Sequence, residues 1–239
     1  MNQIAPIFKK EFFGYFRSPV GYVILAVFHV VVIALAVFAG YYESNQANLN
    51  TLWTFLPWTF LIFIPATGMR LWAEEKRSGS IELLFTLPVS TTSAVLGKFL
   101  AAWSFIGIAI ALTISLALTT GYLGNPDWGI IFAGYFGSLL MAAAYLSISS
   151  VCSALTKNQV IAFVFSVLLC FLATLFGSQI LLALFEGFAS PAILDFLGNF
   201  SFQGHFETMT RGLIELSAIS FFATLTIACL AINVIVLEN

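Results

Sequence analysis

Long apolar runs separated by short polar intervals dominate this chain. Six of them reach the roughly 20 residues that a helix needs to cross a hydrocarbon core. They cover 20–42, 52–71, 92–120, 128–151, 160–184 and 213–237. Ahead of the first, Ile4, Ile7, Phe8, Phe12, Tyr15 and Phe16 recur at helical spacing over residues 3–17, with Lys9, Lys10 and Arg17 off that stripe. Such a helix lies in the membrane interface, its apolar side in acyl chains and its basic side toward anionic headgroups. Pro19 breaks it from the first run. The pattern predicts an all-α polytopic membrane protein with six transmembrane helices.

Composition agrees: the 239 residues are 60% hydrophobic and 16% aromatic, with a mean hydropathy of +1.00, which excludes a water-soluble class. The net charge of −2 says little, because orientation depends on where Lys and Arg fall. Lys9, Lys10, Arg17, Arg70, Lys76, Arg77, Lys98 and Lys157 belong to the N-terminal lead, the second-to-third connection with its edges, and the fourth-to-fifth connection. Only Arg211 lies on the other side. Both termini and the 72–89 interval are therefore expected in the cytoplasm. The first run exceeds the roughly 7–15 apolar residues of a signal peptide and is expected to be retained as a span.

The interval 72–89, WAEEKRSGSIELLFTLPV, concentrates charge in a chain that is only 8% charged. Gly79 suits a helix start, and Glu82 three places on can reach back to its first free N–H. Ile81, Leu84 and Phe85 then fall on one side, and Pro88 stops the helix. The expected result is a stub about 10 Å long, lying across the membrane surface between two spans. The plain alternative is an ordinary solvated loop with some local helix.

On the outer side, the insert 185–212 keeps Phe188, Ile193, Leu194, Phe196, Leu197, Phe200, Phe202 and Phe206. Ser190 before Pro191 marks one helix start, Ser201 another, and Gly212 an end or bend. Two short helices dipping back into the membrane would account for so apolar a loop. Trp53, Trp103 and Trp128 sit near run ends, as interfacial aromatics do; Trp58 does not.

Away from their ends, the six runs hold no Asp, Glu, Lys or Arg, which argues against a proton- or sodium-coupled carrier. His29 lies deep in a run and reads first as a neutral imidazole bonded to a neighbouring helix. Gly137 and Ser138 have no nucleophile motif that would join them to His205. Gly97 and Lys98 lack the remainder of a phosphate-binding loop, so any ATPase must be another chain. Cys152, Cys170 and Cys229 read as buried small hydrophobes, and Glu207 with Arg211 as a surface pair. No catalytic, metal or cofactor-binding residue is expected on this chain, and no nucleic-acid partner.

The words MRLWAEEKRSGSIELLFTLPVS (69–90), LGKF (96–99) and FLGNFSFQGHFETMTRG (196–212), with the order of elements, resemble the ABC-2-type transporter permeases. Within these the chain is most similar to the group associated with bacterial gliding motility. The resemblance covers residues 1–239 as a single transmembrane domain. It implies that the 79–86 stub is a coupling helix docking on a separate ATP-binding subunit, which carries ATP and magnesium. Glu74, Glu75, Arg77, Gly79, Ile81, Glu82, Leu83, Leu84 and Pro88 would form that interface. It also implies a second permease copy or paralogue, membrane lipids around both, a bacterial inner-membrane location, export of an unnamed cargo, and a companion membrane protein with a large external domain. A different class, an ATP-driven mechanical or assembly module that moves no cargo, fits the same residues.

Overall fold

A computed structural model describes residues 4–43, 45–82, 89–178, 181–183 and 198–238. Among these the chain is helical throughout its regular structure: α1 (Ile4–Arg17), α2 (Pro19–Phe38), α3 (Asn50–Gly68), α4 (Arg70–Ser78), α5 (Thr91–Leu112), α6 (Ile114–Leu123), α7 (Trp128–Ala154), α8 (Gln159–Leu175), α9 (Phe202–Thr210) and α10 (Leu216–Glu238). Five helical runs are long and apolar enough to cross a membrane: α2, α3 continued by α4, α5 continued by α6, α7 and α10. The run expected at 160–184 forms α8, which is apolar but has 17 residues. That is short of a full crossing at 1.5 Å per residue.

The hub is α7, which packs against α3, α4, α5, α8, α9 and α10. Its buried positions are mostly small, including Gly134, Gly137, Ala142, Ala144, Ser147, Ser150 and Ser153. Without large side chains between them, helix backbones approach closely and dispersion contacts multiply. Trp53 uses one such gap: an added Cβ on Gly134 would sit 2.6 Å from its ring. The sequence suggested an interfacial anchor at Trp53, yet its ring is buried, edge-on to Tyr135 and Phe206. Proximity to a run end cannot distinguish the two, because the facing glycine is 81 residues away in sequence. Across the same core, the Tyr145 and Thr174 hydroxyls are 2.6 Å apart, joining α7 to α8. Cys152 and Cys170 are buried, Cys229 half-buried, and all three are free thiols. His29 Nδ1 is buried without a hydrogen-bond partner among the described residues, so the expected bond to a neighbouring carbonyl does not form at that nitrogen.

The second span and the charged interval differ most from expectation. Instead of leaving the membrane as a loop, the chain passes from α3 into α4 with only Met69 between them, and Leu71, Trp72 and Ala73 are buried. Gly79, expected to open a helix, first closes one: its φ of +73° is left-handed, the conformation in which glycine ends helices at least cost. Helical turn resumes at Ser80, and Glu82 N–H donates to Gly79 O at 3.3 Å. Leu83, Leu84 and Pro88 lie outside the described residues, as do 184–197 of the outer insert. Within the rest of that insert, Ser201 caps α9 as the sequence suggests, accepting from Gly204 N–H at 3.0 Å.

At the N-terminal end, α1 lies on α5 and turns sharply into α2. Ser18 caps α2, and Pro19 takes its first position, where a missing N–H costs nothing. Gly21 is required there, since a Cβ would lie 2.1 Å from Tyr15 O.

Candidate coupling site

Part of the charge in the interval 72–89 is built into the helix junction: Glu75 and Lys76 bond to other helices. Lys98, two turns into α5, is 3% exposed. Its ammonium donates to Glu75 Oε1 on α4 at 2.7 Å, to Leu71 O at 3.1 Å and to Glu11 Oε1 on α1 at 3.4 Å. Those three bonds use all three of its protons. The same nitrogen lies 5.1 Å from the centre of the Trp72 ring, on whose face a cation is attracted. Burying an ammonium costs several kcal/mol, and only close, well-bonded carboxylates offset it. One cation thus joins α1, α4 and α5. Glu75 Oε2 is also buried, without a hydrogen-bond partner among the described residues.

A second set of bonds fastens α4 to α7. Ser153 Oγ accepts from Trp72 N–H at 3.0 Å and from Ala73 N–H at 3.1 Å, and donates to Met69 O at 2.8 Å. A helix start leaves its first N–H groups without partners, and α4 has no capping side chain of its own. The hydroxyl of another helix takes that part. Side-chain insertion between a carbonyl and the N–H four residues on is also a recognised cause of a bend. Trp72 Nε1–H donates to Ser150 Oγ at 3.2 Å, and Asn233 Nδ2–H reaches the same oxygen at 2.5 Å, bringing in α10. At the far end of α4, Lys76 Nζ donates to Ala154 O, a free carbonyl at the end of α7.

Of the interface residues expected from sequence, Glu74, Arg77, Gly79 and Glu82 are exposed, Ile81 is half-buried and Glu75 points inward to Lys98. Glu74 also pairs with Arg70, whose Nε lies 3.1 Å from its Oε2. The sequence used Lys98 for orientation and in the LGKF resemblance and gave no sign that it pairs with Glu75, and nothing in the chain order points Ser153 at residue 72.

Basic residues are segregated along α7. Lys76 binds its last turn, whereas Gly212, next to Arg211, packs on Ile130 in its first. The 24 residues between Ile130 and Ala154 separate these ends by about 36 Å, more than a hydrocarbon core. Glu207 and Arg211 form the expected exposed pair, at 3.6 Å. Among the described residues, no group of three His, Cys, Asp or Glu is placed to hold a metal ion.

No curated protein matches the chain. The family model described as ABC-2 family transporter protein matches residues 5–237. With its membrane-spanning helices and a match over nearly its whole length, this multi-pass membrane protein belongs to the ABC-2 transporter family.

Proposed function

We propose that the protein is the permease subunit of an ATP-binding-cassette exporter, and that the segment from α4 to Val89 receives a separate ATP-binding subunit. Members of this family normally work with such a subunit. The observation that carries the reading is the double attachment of α4: it continues a span directly, and it is bonded to α5 and α1 through Lys98 and to α7 through Ser153. A push on its exposed side, at Glu74, Arg77, Gly79 and Glu82, therefore moves several spans together. Glu75 acts as an internal strut behind that surface. Ile81, Leu83 and Leu84 supply apolar contact to the ATPase, and Pro88 ends the segment.

In this reading α1 lies in the cytoplasmic interface, residues 160–184 make the fifth of six crossings, and both termini face the cytoplasm of a bacterial inner membrane. The working unit has two permeases and two ATPases, with ATP and magnesium on the latter. The outer insert re-enters the membrane. The gliding-motility grouping, its external-domain companion and the outward direction rest on the sequence resemblance.

Co-purification tests the proposal. The tagged full chain, expressed with its ATP-binding subunit, should retain that subunit, and Glu82→Arg with Leu84→Asp should release it while leaving the permease folded. Unchanged retention in the double variant would overturn this docking surface. ATP-dependent uptake by inverted reconstituted vesicles then separates an exporter from a machine that moves no cargo.

A further inference from the structure

We propose that a cavity between α1, α2 and the α3–α4 junction binds one phospholipid with a primary-amine zwitterionic headgroup, of the phosphoethanolamine class. The cavity has a volume of about 160 Å³. Its wall is formed by Glu11 and Tyr15, one turn apart on α1, and by Ser18 at the junction with α2. Opposite stand Arg70 and Glu74. Because Ser18 caps a membrane span, the opening lies where that span meets the headgroup layer.

The donors match a phosphodiester. Arg70 spends Nε on Glu74, and its two terminal nitrogens have no partner among the described residues. The Tyr15 hydroxyl likewise has no hydrogen-bond partner there, although its ring stacks on Phe105 at 4.5 Å. Burial holds its pKa above the ordinary value, so it remains an O–H donor. Ser18 Oγ accepts from Val20 N–H at 3.3 Å and keeps its proton to give. A guanidinium with two free forks and two hydroxyls suits a phosphate monoanion. The acceptors match an ammonium: Glu11 and Glu74 flank the same space. Glu11 Oε1 faces Lys98 and Glu74 Oε2 faces Arg70, which leaves Glu11 Oε2 and Glu74 Oε1 without an ion-pair partner among the described residues. Free guanidinium nitrogens beside free carboxylate oxygens suit a ligand that carries both signs.

The tails stay in the bilayer. Beyond Ile24 and Thr67, the crevice walled by Phe28, Phe60, Phe63 and Phe105 holds only about 10 Å³, room for no more than a water. The cavity takes the headgroup alone, and free phosphoethanolamine lacks the bilayer anchor that keeps a lipid at its mouth.

Native mass spectrometry of the purified full chain in detergent tests this, titrated in parallel with phosphatidylethanolamine, phosphatidylcholine and phosphatidylglycerol of equal acyl length, and with free phosphoethanolamine. Phosphatidylcholine keeps both charges but has no N–H on its head. One phosphatidylethanolamine should be retained about tenfold more tightly than either other lipid, the scale of a lost charge-assisted hydrogen bond. Arg70→Gln should lower its affinity by a similar factor. Gly14→Phe, whose Cβ meets nothing within 4 Å and which lines the same cavity, should block it without disturbing the fold. Gly14→Phe decides the matter if Arg70→Gln fails to fold. Equal retention of all three lipids, unchanged by Gly14→Phe, would show general boundary lipid and overturn the proposal. So would preference for phosphatidylglycerol, or equal binding of the free headgroup.

Discussion

Lys98 Nζ lies 2.7 Å from Glu75 Oε1, so a buried cation on α5 fixes the inward face of a helix whose outward face carries exposed charge. The side chains are 4% and 18% exposed, too dry for solvent to replace either partner. Lys98→Met strands Glu75 and weakens the hold on Glu11, and breaking one side of a buried pair costs about 3–5 kcal/mol. The expected outcome is a large fall in melting temperature in detergent. Adding Glu75→Leu should recover part of it, because two apolar residues leave no stranded charge. Strict additivity of the two substitutions would show that the pair is not coupled.

Ser153→Ala removes one hydroxyl that serves Met69 O, Trp72 N–H and Ala73 N–H. Unmade buried hydrogen bonds cost about 1–3 kcal/mol, and the loss should be local. Hydrogen exchange should quicken at the amides of Trp72 and Ala73, with little change in the middle of α3. Ser153→Thr, which keeps the hydroxyl, should restore protection.

Gly68→Ala places a Cβ 2.4 Å from Ser149 Oγ and 2.7 Å from Ser149 Cβ, so α3 and α7 must separate. Overpacking of this kind costs about 1–3 kcal/mol. Ser149→Gly removes both clashing atoms, and the double variant should melt well above Gly68→Ala alone. A Gly68→Ala protein that melts normally would show that this crossing is loosely packed.

Arg77→Glu and Glu75→Gln should part company. Arg77 is exposed and forms no ion pair among the described residues, so its reversal should change stability by less than about 0.5 kcal/mol while weakening retention of an ATP-binding subunit. Glu75→Gln should act the other way, lowering the melting temperature with a smaller effect on a subunit that still assembles. Equal effects of both on assembly alone would place Glu75 on the docking surface rather than behind it.

Much of the architecture was legible in order. Runs of apolar residues marked the spans because a helix in lipid satisfies its own backbone and needs only an apolar exterior. The Ser201 cap was legible because a cap bonds its own backbone two or three residues on. The interval 72–89 was harder. Its charges suggested solvent, whereas α4 keeps Leu71, Trp72 and Ala73 inside and sends Glu75 to a lysine 23 residues later. Charge alone does not reveal whether a partner waits on another helix.

The sequence by itself determined that this chain crosses a membrane, where five of its spans run, and which family it resembles. Each of these depends on composition or on spacing within a few turns. Only the tertiary structure decided that Gly79 closes a helix before the next begins, that Trp53 is a core residue, that Ser153 caps α4 from α7, and that Lys98 is a buried joint. Those outcomes depend on which side chain of a distant helix occupies the facing position, and contacts between helices 23 to 84 residues apart leave no periodic trace along the chain.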